Sequence, residues 1–351
     1  MNSTLNFSTA SADLLTQELD KIVLSALSPG DAVIMTFSVK DGAGSVIRDS
    51  WTTTYHADED GKVTISSLAR MWNNYILDES LRQGAFTPSS ALGGIVVVIA
   101  YELEDETTGS CQRRLWYCRR KTGKTIDNVK GFIPAIATVK KTRVGAKEPA
   151  SVISTTQVGV KVKATYVKNG AESSTSDQSI SYSVLDTYHG LWDVSPSVVA
   201  ALIPTGAVLK EYEVKSHISG TVKSTVKYVM TTDHPHGTQL CWLNNFGCWE
   251  TLLMAGAEDL KLEYSAEFAL GGDDFTAYNV EAIESKTVHT GYVNNTILNQ
   301  VRDLADSPFV FVLDGGTWKK VVVDDVALER RKPSNEAPVA NVTYRLAESE
   351  Y

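Results

Sequence analysis

The sequence predicts a mainly β protein, built as consecutive β-sandwich-like domains with a few short helices. Three observations predict it. Segments rich in Val, Ile, Thr and aromatic residues alternate with polar ones at a period of two, as in residues 32–39, 158–164 and 318–323. Turn signals punctuate them, among them Asp41-Gly42-Ala43-Gly44, Lys168-Asn169-Gly170 and Gly315-Gly316. Helical periodicity is confined to short stretches. The chain has 351 residues, 43% of them hydrophobic and 21% charged, which is ordinary globular composition with enough apolar material for sizeable cores. At roughly 100–200 residues per domain, three domains are expected: 1–125, a β-sandwich with one helix; 126–237, immunoglobulin- or fibronectin-like; and 238–351, β-rich with one short helix.

The first block opens ambiguously. Residues 3–27 fit a helical stripe through Leu15, Leu19, Ile22 and Val23, and residues 20–25 also read as a strand; strand is preferred because its neighbours are β. Strands follow over 32–39, 46–56 and 63–66. Apolar residues at 68, 71, 72, 75 and 76 mark one helix face, with Ser66 or Ser67 available as N-cap. Residues 79–93 read as a loop, and strands return at 95–102 and 111–120. In the second block, alternation runs through Val158, Val160 and Val162, then Ile180, Tyr182 and Val184, then Tyr212, Val214, Val222, Val226 and Tyr228, with a helical turn over 195–203. The third block carries strands near 260–264, 278–283 and 286–292. A helix over 294–306 turns Ile297, Val301 and Leu304 inward, and Ser307-Pro308 stops it. A hairpin over 309–323 and a last strand over 339–346 complete the chain.

The densest aromatic run is residues 239–254, where Trp242, Phe246, Trp249, Leu252 and Leu253 flank an Asn-Asn-Phe-Gly turn. Aromatic side chains bury about 150–250 Å² each when covered. This stretch falls between two blocks of independent alternation. Those five residues are therefore the candidates for a domain seam first, a subunit contact second and a ligand platform third. Truncating Trp242 should break assembly if it lies at an interface, and folding if it lies in a core.

Chemistry-bearing motifs are scarce. No nucleophile elbow, zinc-protease helix or dinucleotide fingerprint is present, and no catalytic or cofactor-binding residue is assigned. Gly123-Lys124-Thr125 lacks the glycine five positions earlier that a phosphate loop needs, Cys118 standing there, so residues 119–124 read as a solvated basic linker or a patch meeting an acidic neighbour. Asp58-Glu59-Asp60 lacks the later ligands of a calcium loop. Cys111/Cys118 and Cys241/Cys248 each have six residues between them, against two to four in metal knuckles. Buried free thiols are the leading reading, with Cys241 and Cys248 facing each other across a hairpin as the alternative. His234 and His236 read as a polar turn rather than a metal site. No cofactor and no metal is expected.

A net charge of −9 argues against nucleic-acid specificity. The longest apolar run, residues 94–100, is too short for a membrane span of about 20 residues. No signal peptide pattern follows Met1, so a reducing cytoplasm is the expected site of synthesis.

Three stretches resemble tail and baseplate structural proteins of phages that infect Bacteroidota: residues 60–76, residues 242–251, and the run from Thr290-Gly291-Tyr292 through Ser307-Pro308 to Trp318-Lys319-Lys320-Val321. They cover about a third of the chain and are patterns of low specificity. The resemblance implies a non-enzymatic virion subunit of a tail, baseplate or tail-associated ring or collar. Such a subunit is assembled in the host cytoplasm as a symmetric homo-oligomer with other virion proteins. The alternative is a carbohydrate- or receptor-binding adhesin module, with Trp192, Trp242 or Trp249 as stacking platforms.

Overall fold

A computed structural model describes residues 12–82, 86–154, 156–182, 184–185, 189–232, 237–271, 274–291, 293–329 and 339–347. The protein is mainly β, with several sandwich-like sheets and short helices. The first strands are β1 (Ala12–Leu15), β2 (Ile22–Leu24), β3 (Ala32–Asp41), β4 (Val46–His56) and β5 (Val63–Ile65), followed by α1 (Leu68–Arg82), β6 (Ile95–Leu103) and β7 (Thr108–Trp116). They form a five-stranded sheet in the order β1-β7-β6-β3-β4, with β1 parallel to β7, and a separate β2–β5 pair. In β3, Val33, Met35, Phe37 and Val39 point inward, as a period of two demands. Leu68, Trp72 and Ile76 of α1 join them in one cluster.

Two local expectations are corrected here. Helix α1 runs on to Arg82 rather than ending near residue 76, because residues 77–82 contain no breaker before Gly84. Its cap is neither Ser66 nor Ser67. Ser67 lies at φ +63°, outside the extended geometry of a capping residue. Asp20 takes the role from across the fold: its Oδ1 accepts from the Ala69 N–H at 2.9 Å, and its backbone carbonyl accepts from the Leu68 N–H at 3.1 Å.

The middle of the chain gives α2 (Ile126–Val129), β8 (Val139–Thr142), β9 (Pro149–Ile153), β10 (Val158–Lys168), β11 (Ala171–Ser174), β12 (Gln178–Ile180), β13 (Val184–Leu185), β14 (His189–Asp193), α3 (Pro196–Ala200), β15 (Val208–Ile218) and β16 (Thr221–Met230). A six-stranded sheet, β11-β10-β15-β16-β8 with β12 also on β10, faces the three-stranded sheet β13-β14-β9. Between them lie Val160, Val162, Val214 and the stacked rings of Tyr212 and Tyr228, covered by Val152 and Trp192. Asn169 and Gly170, both at positive φ, make the two-residue turn between β10 and β11, the geometry that matches strand twist in a tight hairpin.

The last segment gives β17 (Thr238–Leu243), β18 (Trp249–Met254), β19 (Glu258–Gly271), β20 (Asp274–His289), α4 (Asn295–Ala305), β21 (Val310–Asp314), β22 (Thr317–Glu329) and β23 (Val339–Leu346). The sheet order is β18-β17-β21-β22-β23-β20-β19. Asn294 caps α4 by accepting from the Ile297 N–H at 3.0 Å. The buried stripe of α4 is Leu298, Val301 and Leu304; Ile297, expected inward, is only half-buried, one position ahead of that stripe. Strands β19 and β20 form one hairpin that outruns the sheet, for β20 meets β23 only over Lys286–His289.

Candidate functional site

The β17–β18 hairpin is buried on both faces. Only Thr238 of its twelve strand residues escapes full burial. Alternation sends Leu240, Trp242, Leu252 and Met254 against α4, into the cluster that also holds Val301, Val312 and Tyr344. It sends Cys241, Leu243 and Trp249 the other way, into the core of the first sheet, where Phe86 lies 5.1 Å from the Trp249 ring and Phe311 5.7 Å. In the connecting loop, Cys248 and half-buried Phe246 enter a third cluster with Leu15, Trp116, Cys118 and Ile153. One hairpin thus supplies side chains to three separate cores.

Gly247 makes the loop possible. It sits at φ +72°, and a Cβ there would lie 2.7 Å from Leu92 Cδ2 and 3.0 Å from Tyr117 Cβ. Backbone bonds dock the same loop on the first block. The Arg119 N–H donates to the Asn245 carbonyl at 2.9 Å, and the Arg120 N–H to Asn245 Oδ1 at 2.7 Å.

Three buried carboxylates tie the hairpin to its surroundings. Glu250, directly opposite Trp242 in the ladder, accepts from Gln300 Nε2 of α4 at 2.9 Å and from the Ile136 N–H at 3.1 Å, with Lys140 Nζ at 3.5 Å. Glu148 accepts from Thr142 Oγ1 at 2.8 Å, from Gln239 Nε2 at 3.1 Å and from Thr251 Oγ1. Asp303 accepts from Trp242 Nε1 at 3.0 Å and pairs with Arg119. Burial pushes the Glu148 carboxyl above its ordinary range, against the pull of Lys140. Burial raises Asp303 too, opposed by Arg119. Charges taken out of water need this many partners to be tolerated. The network ties the hairpin to α4, to β8 and to residues 136 and 148.

The basic run at 119–124 meets acids of its own chain: Arg119 pairs with Asp303 and Arg120 with Asp306, both on or just after α4, while Lys124 lies over the Phe246 ring at 5.6 Å. Cys241 pairs with Thr251 across the ladder, so it does not face Cys248. All four cysteines are buried and free. Cys248 Sγ lies 3.5 Å from His189 Nε2, a thiol–imidazole pair. Burial pushes that thiol well above its ordinary range, whereas a nucleophilic cysteine needs a lowered pKa and access; the pair is a packing contact.

Of the five residues singled out in the sequence, Trp242, Trp249, Leu252 and Leu253 are buried and Phe246 is half-buried. Trp192 is buried as well, so none of the three indoles named as platforms offers a ring face to solvent. Sequence reasoning missed Glu148, Lys140, Gln239, Gln300 and Asp303. Their partners lie far away in the chain, and the one local signal was Glu250, an acid inside an otherwise apolar run. Among the described residues no group of three or more His, Cys, Asp and Glu could hold a metal ion; His234 and His236 lie outside them. Among the described residues no helix is long and apolar enough to cross a membrane.

No family model and no curated protein matches the chain. Among solved structures it is similar to the periplasmic chaperone SfaE, with 8% identity over 60% of this chain and 90% of that one and a TM-score of 0.19. It is similar to a DUF4784 family protein from Bacteroides caccae, with 10% identity over 54% of this chain and 43% of that one and a TM-score of 0.19. A bacterial ice-binding adhesin aligns over 96% of this chain and 98% of its own, with 9% identity and a TM-score of 0.13. Scores of this size carry no argument about fold or function.

Proposed function

We propose that the chain is a non-enzymatic structural subunit of a phage virion, part of a tail, a baseplate or a tail-associated ring or collar. On this reading it assembles in the host cytoplasm as a symmetric homo-oligomer with other virion proteins. The observation that carries the proposal is the β17–β18 hairpin. It commits Trp242, Trp249 and Phe246 to joining three cores of one chain. Such a join suits a part that transmits load between sheets. The resemblance of residues 60–76, 242–251 and 290–321 to tail and baseplate proteins points the same way.

The glycan-binding alternative loses the three indoles on which it stood, since Trp192, Trp242 and Trp249 are interior. The test is the protein content of phage particles purified from cells that carry the gene. The reading expects this chain in the particle at a fixed copy number. Its absence from particles, together with glycan affinity of a lone monomer, would overturn the reading.

A further inference from the structure

The β19–β20 hairpin carries an exposed apolar face among the described residues. Beyond Lys286, its two strands pair with each other and, among the described residues, with no other strand. At about 3.4 Å per residue, the segment from Lys261 to Gly271 reaches about 35 Å past the sheet. A two-stranded ribbon alone in water is marginally stable, and a long open edge strand invites pairing. Leu260, Leu262 and Tyr264 lie two apart and so share one face. They are 62%, 43% and 68% exposed. Glu284, opposite Leu262, stands on that same face.

Charge says what can cover this arm. Between Glu258 and His289 the sequence has eight acidic residues against two lysines, a net −6 in a chain of net −9. The lysines are already used: Lys261 pairs with Glu263, and Lys286 with Glu258 at 3.3 Å. Two such arms repel each other, so arm-to-arm pairing is disfavoured and a basic, partly apolar occupant is favoured.

One surface of the same chain has that chemistry. Residues 139–147 carry Lys140, Lys141, Arg143 and Lys147 and no acid. Lys140 turns inward to Glu250. Strand β8 alternates so that Val139 and Lys141 face out. Val139 is 57% and Val144 82% exposed, and Lys147 is exposed beside them. A second basic run, at 119–124, has no exposed aliphatic residue, and two of its cations are held by Asp303 and Asp306; a third run, Arg330-Arg331-Lys332, lies outside the described residues.

We infer that the β19–β20 arm of one copy docks on the β8 patch of a second copy, with Leu260, Leu262 and Tyr264 against Val139 and Val144 and the arm's acids against Lys141 and Lys147. The contact joins two different surfaces, so it is heterologous and builds a ring if its rotation closes. The inference rests on the homo-oligomeric reading above and names its contact.

The test uses the full chain and light scattering on an eluting column. One variant is Leu262→Asp in the arm; the other is Lys141→Glu with Lys147→Glu in the patch. All three positions are exposed, so the melting temperature of each variant is expected to match the wild type. The wild type is expected at a multiple of 38.2 kDa, and each variant alone at the monomer mass. An equimolar mixture of the two variants retains one intact arm and one intact patch per pair, so it should run as a dimer and no larger. An oligomeric wild type whose variants stay oligomeric, or whose monomeric variants fail to pair on mixing, overturns this contact alone. A monomeric wild type overturns the contact and the homo-oligomeric reading together.

Discussion

Glu148 is a buried residue whose environment opposes its charge. Its folded pKa lies above the ordinary 4.5 because burial disfavours the carboxylate. The native state therefore holds a proton that the unfolded chain has released, and stability falls as pH rises from 4.5 through the folded pKa; below 4.5 the effect vanishes. Glu148→Gln removes this titration. Denaturant melts of both proteins between pH 4 and pH 7 should show the variant gaining on the wild type as pH rises, whatever its constant offset from altered hydrogen bonds. A difference that stays flat with pH would contradict the assignment. Trp242 makes the complementary case. It is fully buried and its indole N–H is held by Asp303. Trp242→Ala should cost about 3–5 kcal/mol of folding stability. A variant that kept its denaturation midpoint and lost only its oligomer would instead place Trp242 at a subunit contact.

At the scale of the element, the β17–β18 hairpin depends on its turn. Gly247→Ala puts a Cβ into the side chains of Leu92 and Tyr117 at positive φ, while Gly170→Ala in the β10–β11 turn meets the same backbone penalty with nothing within 4 Å. The left-handed penalty is about 1–2 kcal/mol for either. Gly247→Ala should lose more than Gly170→Ala in chemical denaturation, and equal losses would show that the loop yields to the contact. Much of this element was legible in the sequence. The Asn-Asn-Phe-Gly break, the flanking alternation and the density of aromatic residues are local signals. The β10–β11 and β21–β22 turns were legible for the same reason, since Asn169-Gly170 and Gly315-Gly316 carry their geometry in two residues. The cap of α1 was not legible, because Asp20 reaches Ala69 through the fold and not along the chain. The Gly271-Gly272-Asp273-Asp274 turn signal lies where the β19–β20 hairpin closes, but the length of the arm was not legible, since no local pattern says that a hairpin will outrun its sheet.

At the scale of the whole molecule, three sheets share cores across the chain. Leu191, Trp249 and Phe311 complete the core of the first sheet, and Glu250 gathers Ile136, Lys140 and Gln300 around one hairpin. The mainly β class was legible from alternation and turns. The way the sheets interlock was not, because a carboxylate's partners are chosen by tertiary approach. The burial of Trp192, Trp242 and Trp249 has a functional consequence. The aromatic residues that stood out in the sequence are spent on holding the chain together, and the proposed contact between copies uses what remains outside, the acidic arm and the basic β8 patch. The central claim, assembly through copies of this chain, is tested most directly by the mass of the purified protein in solution across a concentration series. The account predicts a discrete species at an integral multiple of 38.2 kDa. A single species at the monomer mass at every concentration would contradict it.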